Sequence, residues 1–321
     1  MADTLTTLAE LVRFNSLDVN PAEISDILNG APVLAQLHAM MSSNGTNHVY
    51  NVETTAPVIG FRAVNAGADY TASSSTQTTV ALKYIDATVR EDIAQCQAYR
   101  GGQEAWLDRR TARQLRQALF TLEKQVFNGT VGGDASGFLG LADDANYNGA
   151  SDALVVNAGG TTADTASSVW FIRSTPDDAS MALVGAGDEG LSMDNINFLI
   201  GETFKAQISG SNSKLMTALC RDIGGHLGIQ IGSKYAVARI ANLTADSGKG
   251  LTDSLLADAL ALFPSSDQPT HIVMNRRSLT QLRKSRTTYS PIGAPAPRPS
   301  EYEGIPIVVT DSITNTEALL A

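Results

Sequence analysis

The residues with the clearest potential for chemistry are Gly185, Gly187 and Gly190 in GAGDEG, spaced as a dinucleotide-binding turn after a strand-like run. Such a turn presents backbone amides to a pyrophosphate, yet Asp188 and Glu189 place two carboxylates where that anion would approach. No acidic residue closes a clear second strand about 20 residues later. A plain turn is the favoured reading, with a nucleotide-binding α/β enzyme as the alternative.

The other reactive side chains form no working group. His38, His48, His226 and His271 are dispersed and match no metal-ligand spacing, and Cys96 and Cys220 match neither a metal nor a redox motif. The pairs Asp143-Asp144 and Asp177-Asp178 sit in Gly- or Pro-containing stretches where turn capping explains them. No serine lies in a nucleophile-elbow context. Catalytic residues, cofactor and metal are therefore all expected to be absent.

Charge narrows the choice further. The 321 residues carry 23 Lys and Arg against 33 Asp and Glu, a formal net charge of -10, which argues against a protein that coats nucleic acid by gripping phosphates. Against that background two basic clusters stand out, Arg109, Arg110, Arg113 and Arg116, and Arg276, Arg277, Arg283, Lys284 and Arg286. Each is a solvated helix face or a set of guanidinium groups that pair with acidic surfaces of neighbouring subunits, with a direct nucleic-acid role as the third reading. At 43% hydrophobic and 17% charged residues the chain is globular, and its length allows two or three domains. The start MADTLTTLAELVRFN lacks a signal-peptide pattern, and no apolar run of about 18 residues occurs. A cytoplasmic origin and no membrane contact are expected.

The elements that would position these residues come in a distinctive order. TLTTLAELVRF and NPAEISDILNGAPVLAQLHAM have helical spacing and Asn-Pro start chemistry, suggesting short helices on an arm. HVYNVETT and PVIGFRAV then alternate as strands, a polar middle NAGADYTASSSTQ follows, and QTTVALKYIDATVREDI reads as a returning strand. Ordering that polar middle costs about 1–2 kcal/mol per residue in backbone entropy, which its small side chains do not offset, so it is expected to order only against a neighbour. From 103 to 127 there is no Pro or Gly, and Leu115, Leu119, Leu122 and Val126 form one apolar stripe. That predicts a long helix with Gly101-Gly102 before it and Asn128-Gly129 at its exit. Beyond it SVWFIRST, ASMALVGAG, KYAVARIANL, THIVMN and GIPIVVTDSI read as strands, and SMDNINFLIGETFKAQI, SLLADALALF and RRSLTQLRKSR as helices. Without strict alternation, the fold class is α+β.

The arm, the long hairpin, the helix ending in VFNGT before GFLGL, and the late segments HIVMNRRSLTQLRKSR and YEGIPIVVTDSI together resemble the major capsid proteins of tailed double-stranded DNA bacteriophages. The resemblance implies the Hong Kong 97-type fold, with an N-terminal arm at 1–50 and an extended loop (E-loop) hairpin at 51–92, centred on 61–89. It further implies a peripheral domain at 93–250 containing a spine helix at 103–127, and an axial domain at 251–321. The implied function is self-assembly, as hexamers and pentamers, into an icosahedral shell around the genome of a tailed bacteriophage. A compartment shell of encapsulin type is the alternative within the same fold. Tyr70 and Thr71 in the loop, Arg109, Arg113 and Arg116 on the spine helix, and Arg276, Arg277 and Arg283 are then candidates for contacts between subunits. The implied partners are other copies of the chain, separate scaffold, portal and decoration proteins, and packaged DNA only indirectly. The implied location is the virion, after synthesis in the bacterial host cytoplasm.

Overall fold

The computed structural model describes residues 30–67, 69–185, 199–209, 214–288 and 296–321. In chain order the strands are β1 (His38–Met41), β2 (Asn47–Thr55), β3 (Ser74–Ala81), β4 (Lys83–Asp86), β5 (Val89–Asp92), β6 (Val155–Asn157) and β7 (Ser167–Ile172). They continue as β8 (Met181–Gly185), β9 (Leu199–Ser209), β10 (Leu215–Ile231), β11 (Val237–Leu243), β12 (His271–Met274), β13 (Glu301–Tyr302) and β14 (Ile305–Val309). The helices are α1 (Ile93–Ala98), α2 (Gln103–Gly132), α3 (Asp253–Leu260) and α4 (Arg276–Thr288). None of the described helices is long and apolar enough to cross a membrane.

Helix α2 begins after Gly102, as its sequence predicts, and its helical geometry breaks at Gly129 (φ 57°, ψ −147°). A positive φ is the region glycine reaches at little cost. The break is held by Asp143, whose Oδ2 accepts from the Thr130 amide at 2.6 Å and the Gly140 amide at 3.1 Å. The expected Asn-Gly exit is therefore a real structural joint. The apolar stripe of the helix (Leu107, Ala118, Leu122, Val126 and Phe127) lies in one core cluster with Leu183, Ile223, Leu227 and Trp170.

Two six-stranded sheets flank that core. The first runs β1-β8-β10-β4, with β5 and β9 also paired to the long β10. The second runs β13-β14-β12-β7-β11-β6. Strand alternation lets the second sheet serve two cores: Trp170 and Ile172 of β7 join α2, whereas Val169 and Phe171 join α3 and α4 through Leu256, Ala259, Leu279 and Leu282. This sheet takes β6, β7 and β11 from before residue 250 and β12, β13 and β14 from after it, so the expected division at 250/251 falls inside one hydrogen-bonded unit.

Three local expectations change. The segment from 199, expected as part of a helix, is β9, paired antiparallel with β10 from Leu199↔Gly224 to Ser209↔Leu215 with one register shift. Long-range pairing outweighs a helix-like spacing of apolar residues, since each rung satisfies backbone groups that a neighbouring strand holds out. The end of the second arm helix is instead a short 3-10 turn at Leu34–Gln36 followed by β1, which pairs parallel with β8 and places Leu37 and Ala39 in the interior. The remainder of the arm, residues 1–29, lies outside the described residues, as do Gly187 and Gly190. Finally, PVIGFRAV forms no strand, and the strand on the far side starts inside the polar run, at Ser74.

Candidate assembly surfaces

The β2–β3 hairpin is a two-stranded sheet of its own, in register from Asn47↔Ala81 to Thr55↔Ser74. Most of β3 is exposed on both faces, as expected of a ribbon that stands away from the body. Its root is fastened by Tyr50, whose hydroxyl donates to the Ile231 carbonyl at 3.0 Å. Among the described residues of its tip, 56–67 and 69–73, one bridge is formed, Val58↔Thr71.

The tip reverses the sequence-based picture of a polar loop. Phe61 is fully exposed, Ile59 is 88%, Val64 91% and Tyr70 81% exposed. The polar Ser/Thr run supplies strand instead, where alternating hydroxyls tolerate solvent on both sides. Tyr70 and Thr71, expected at the hairpin tip, are both there, Thr71 in the closing bridge. Ile59, Phe61 and Val64 were the missed residues, hidden because alternation alone reads as a half-buried strand.

The basic candidates divide by what they touch. Arg116 is exposed, while Arg109 and Arg113 are half-buried along the same helix. Arg110 is a structural residue: its Nε donates to Glu91 at 2.9 Å and its guanidinium stacks 5.0 Å over Trp106. Arg276 is exposed, and Arg283 donates to the Ala296 carbonyl at 2.7 Å. Arg277 points inward, its Nη2 donating to the carbonyls of Thr165 (2.8 Å) and Leu243 (3.0 Å) and to Ser167 Oγ (3.1 Å).

Two buried charged groups that the sequence reading passed over tie distant segments together. Glu123, fully buried on α2, accepts from the Val33 and Leu34 amides through Oε2, at 2.8 and 3.4 Å. Its Oε1 accepts from the hydroxyls of Thr310 and of Ser312, the latter at 2.8 Å. Burial pushes its carboxyl above the usual range, and these hydrogen bonds oppose the shift. A carboxylate next to the Leu119, Leu122 and Val126 stripe was the available signal. Arg239, on β11, donates to Ser168 Oγ, the Tyr147 carbonyl and Glu317, and lies 4.8 Å over Trp170. Burial lowers its pKa and Glu317 raises it.

Among the described residues no set of three or more His, Cys, Asp or Glu could hold a metal ion. Burial pushes the Cys96 thiol up to about 11 and raises that of Cys220, which keeps both as unreactive thiols. Gly185 ends β8, paired with Met41 of β1 and Leu227 of β10, and the Ser42 amide donates to its carbonyl at 2.8 Å, so it completes a strand inside the first sheet.

Residues 18–321 match the family described as Major capsid protein GP7. The fold is similar to that of a chain in the cryo-EM structure of bacteriophage Epsilon15, with a TM-score of 0.69 at 17% identity, covering 100% of this chain and 98% of that one. It is also similar to a chain in the capsid of bacteriophage JBD30 decorated with minor capsid protein trimers, with a TM-score of 0.52 at 13% identity, covering 96% and 99%. No curated protein matches the sequence.

Proposed function

The chain belongs to the major capsid protein GP7 family, and on that premise we propose that each copy closes the shell by lodging its hairpin tip on a neighbouring copy. The protein is a structural subunit of a bacteriophage capsid with the Hong Kong 97-type fold, assembling with copies of itself. The observation that carries the proposal is the tip: Ile59, Phe61, Val64 and Tyr70 are exposed together at the end of a ribbon whose strands do not shield them. Burying one such side chain stabilises by about 1.5–3 kcal/mol, and hairpins repeated around a closed shell multiply that gain.

In this reading Arg116, Arg276 and Arg283 face acidic surfaces of adjacent copies, and Tyr70 and Thr71 move with the tip. Arg109 and Arg113 border the same face of α2. Arg277 contributes indirectly, by holding the start of α4 against β7 and β11. The peripheral part is α2 with the first sheet, and the axial part is the second sheet with α3 and α4, drawing 155–172 and 237–243 into a unit otherwise formed from 251–321. The described end of the arm is tied to the first sheet by β1, β2 and β3 form the hairpin, and β4 and β5 return the chain to the first sheet. Separate scaffold, portal and decoration proteins complete the particle around packaged DNA, following synthesis in the host cytoplasm.

Electron microscopy of the purified protein tests this. Wild-type protein is expected to form closed shells or capsomer rings, and the Ile59→Ser, Phe61→Ser, Val64→Ser triple variant to remain as folded, unassembled subunits. Shells formed equally well by the triple variant would refute the role of the tip. Nucleic acid recovered from native particles separates a virion from a cargo compartment.

A further inference from the structure

The sequence sets one basic cluster, around Arg276 to Arg286, against an otherwise acidic chain, and shell formation uses only part of it. A cavity of about 830 Å³ opens where this cluster meets the loop between β11 and α3. Arg276, Arg277 and Lys284 line it, with Asp246 as the single carboxylate. That carboxylate is already occupied, accepting from the Thr161 amide at 3.1 Å, the Thr162 amide at 3.2 Å, Thr162 Oγ1 at 2.6 Å and Thr244 Oγ1 at 2.9 Å. These donors are neutral and keep the carboxylate ionised, so the lining carries three cations against one anion.

The walls are built before any ligand arrives. Gln281 clamps the loop to α4, donating to the Thr244 carbonyl at 2.7 Å and accepting from the Leu251 amide at 3.3 Å. Within the loop Thr244 donates to the Lys249 carbonyl and Lys249 to the Asp246 carbonyl, with Gly248 at φ 74° making the turn. Arg277 is fixed by three acceptors on one nitrogen, yet its Nε is buried with no hydrogen-bond partner. The acceptors that hold Arg277 are neutral oxygens, so its positive charge is retained at the cavity wall.

We propose that this cavity binds a phosphate group, with Arg276, Arg277 and Lys284 as its cationic ligands. Phosphate suits the site better than a carboxylate because three cations converge on it, and a tetrahedral anion with several acceptor oxygens can meet cations from different directions. Thr252 also lines the cavity, and its hydroxyl, which accepts from the Leu255 amide, adds a neutral donor. The volume admits a phosphate carried on a sugar, so the source is either free phosphate or a nucleic-acid backbone. Locally bound phosphate is compatible with a net charge of -10, because the site is confined to one cavity.

The test uses the full-length protein, with inorganic phosphate followed by 31P NMR and a short labelled single-stranded DNA followed by fluorescence anisotropy. The variant is R276Q/K284Q, two exposed side chains, with K205Q, an exposed lysine on β9, as a control outside the cavity. Wild type and K205Q are expected to bind alike, and R276Q/K284Q to bind at least about tenfold more weakly, since two charge-assisted contacts are lost. Phosphate binding with no added gain for DNA supports free phosphate as the ligand. Tighter DNA binding that weakens with salt supports the backbone. No binding of either probe, equal binding by the double variant, or preference for an acidic peptide over both probes overturns the proposal. Shell formation is scored separately by electron microscopy of the hairpin-tip variant, whose residues lie outside the cavity, so the two readings fail independently.

Discussion

Replacing Glu123 tests whether one buried carboxylate holds the arm, the spine helix and the C-terminal segment together. In Glu123→Ala the Val33 and Leu34 amides lose their acceptor, and Val33 is buried. Two stranded amides cost about 1–3 kcal/mol each, and the emptied space adds to that, whereas removal of a desolvated charge offsets part of it. A net loss of about 3–5 kcal/mol is expected, a large part of the 5–15 kcal/mol typical of a domain. Glu123→Gln should lose only about 1–2 kcal/mol. Its amide oxygen can face the two backbone donors, while its NH2 group faces the Thr310 and Ser312 hydroxyls, which can turn to accept.

The pH dependence has a definite sign. Because burial raises the folded pKa above the ordinary value of 4.5, the native state holds this proton more tightly than the unfolded chain. The stabilisation from this group is complete below about 4.5 and is lost as pH rises through the raised folded value. Wild type should therefore lose ground to Glu123→Gln between acid and neutral pH. Urea unfolding of unassembled subunits, followed by circular dichroism and by fluorescence of Trp106 and Trp170, measures both effects. A Glu123→Ala variant within about 1 kcal/mol of wild type would refute the tie, and a difference that grows in the opposite direction with pH would refute the burial argument.

Other perturbations separate folding from assembly. Gly129→Ala should destabilise the subunit by about 1–3 kcal/mol, because an alanine is strained at this backbone conformation and its Cβ would meet the Asp143 carboxylate; a melting temperature equal to wild type would show that the kink is not required. Glu317→Ala leaves Arg239 buried without its carboxylate and should cost about 3–5 kcal/mol, against less for Glu317→Gln, measured by the same urea titration. Leu122→Ala should cost about 2–5 kcal/mol, since the side chain is buried under the first sheet. The serine triple variant of the hairpin tip should leave these unfolding curves unchanged and abolish shells.

Much of the fold was legible from local signals. The uninterrupted run from 103 to 127, bounded by Gly102 and Asn128-Gly129, is a helix on propensity, periodicity and cap chemistry together. The apolar runs VWFI and IVM emerge inside β7 and β12, buried throughout, because a strand covered on both faces is largely apolar, and IPIVV emerges as the partly exposed β14. The segment 199–209 was misread because the signal that makes it a strand lies in β10, whose length and register no local window contains. The hairpin tip was misread for a related reason: alternation says that one face is protected, without saying whether the protecting surface is in the same subunit.

The sequence by itself determined the long helix, the apolar central strands, the exit of the spine helix at a glycine and the acidic character of the chain, since these are properties of short stretches. Tertiary structure alone decided which polar residues meet. Glu123 finds Val33, Thr310 and Ser312 across nearly the whole chain, Arg239 finds Glu317, and Arg276 and Lys284 gather at a loop that Gln281 draws in. Hydrogen bonds and ion pairs act only over a few ångströms, so their partners exist only once the two sheets and the long helix have packed.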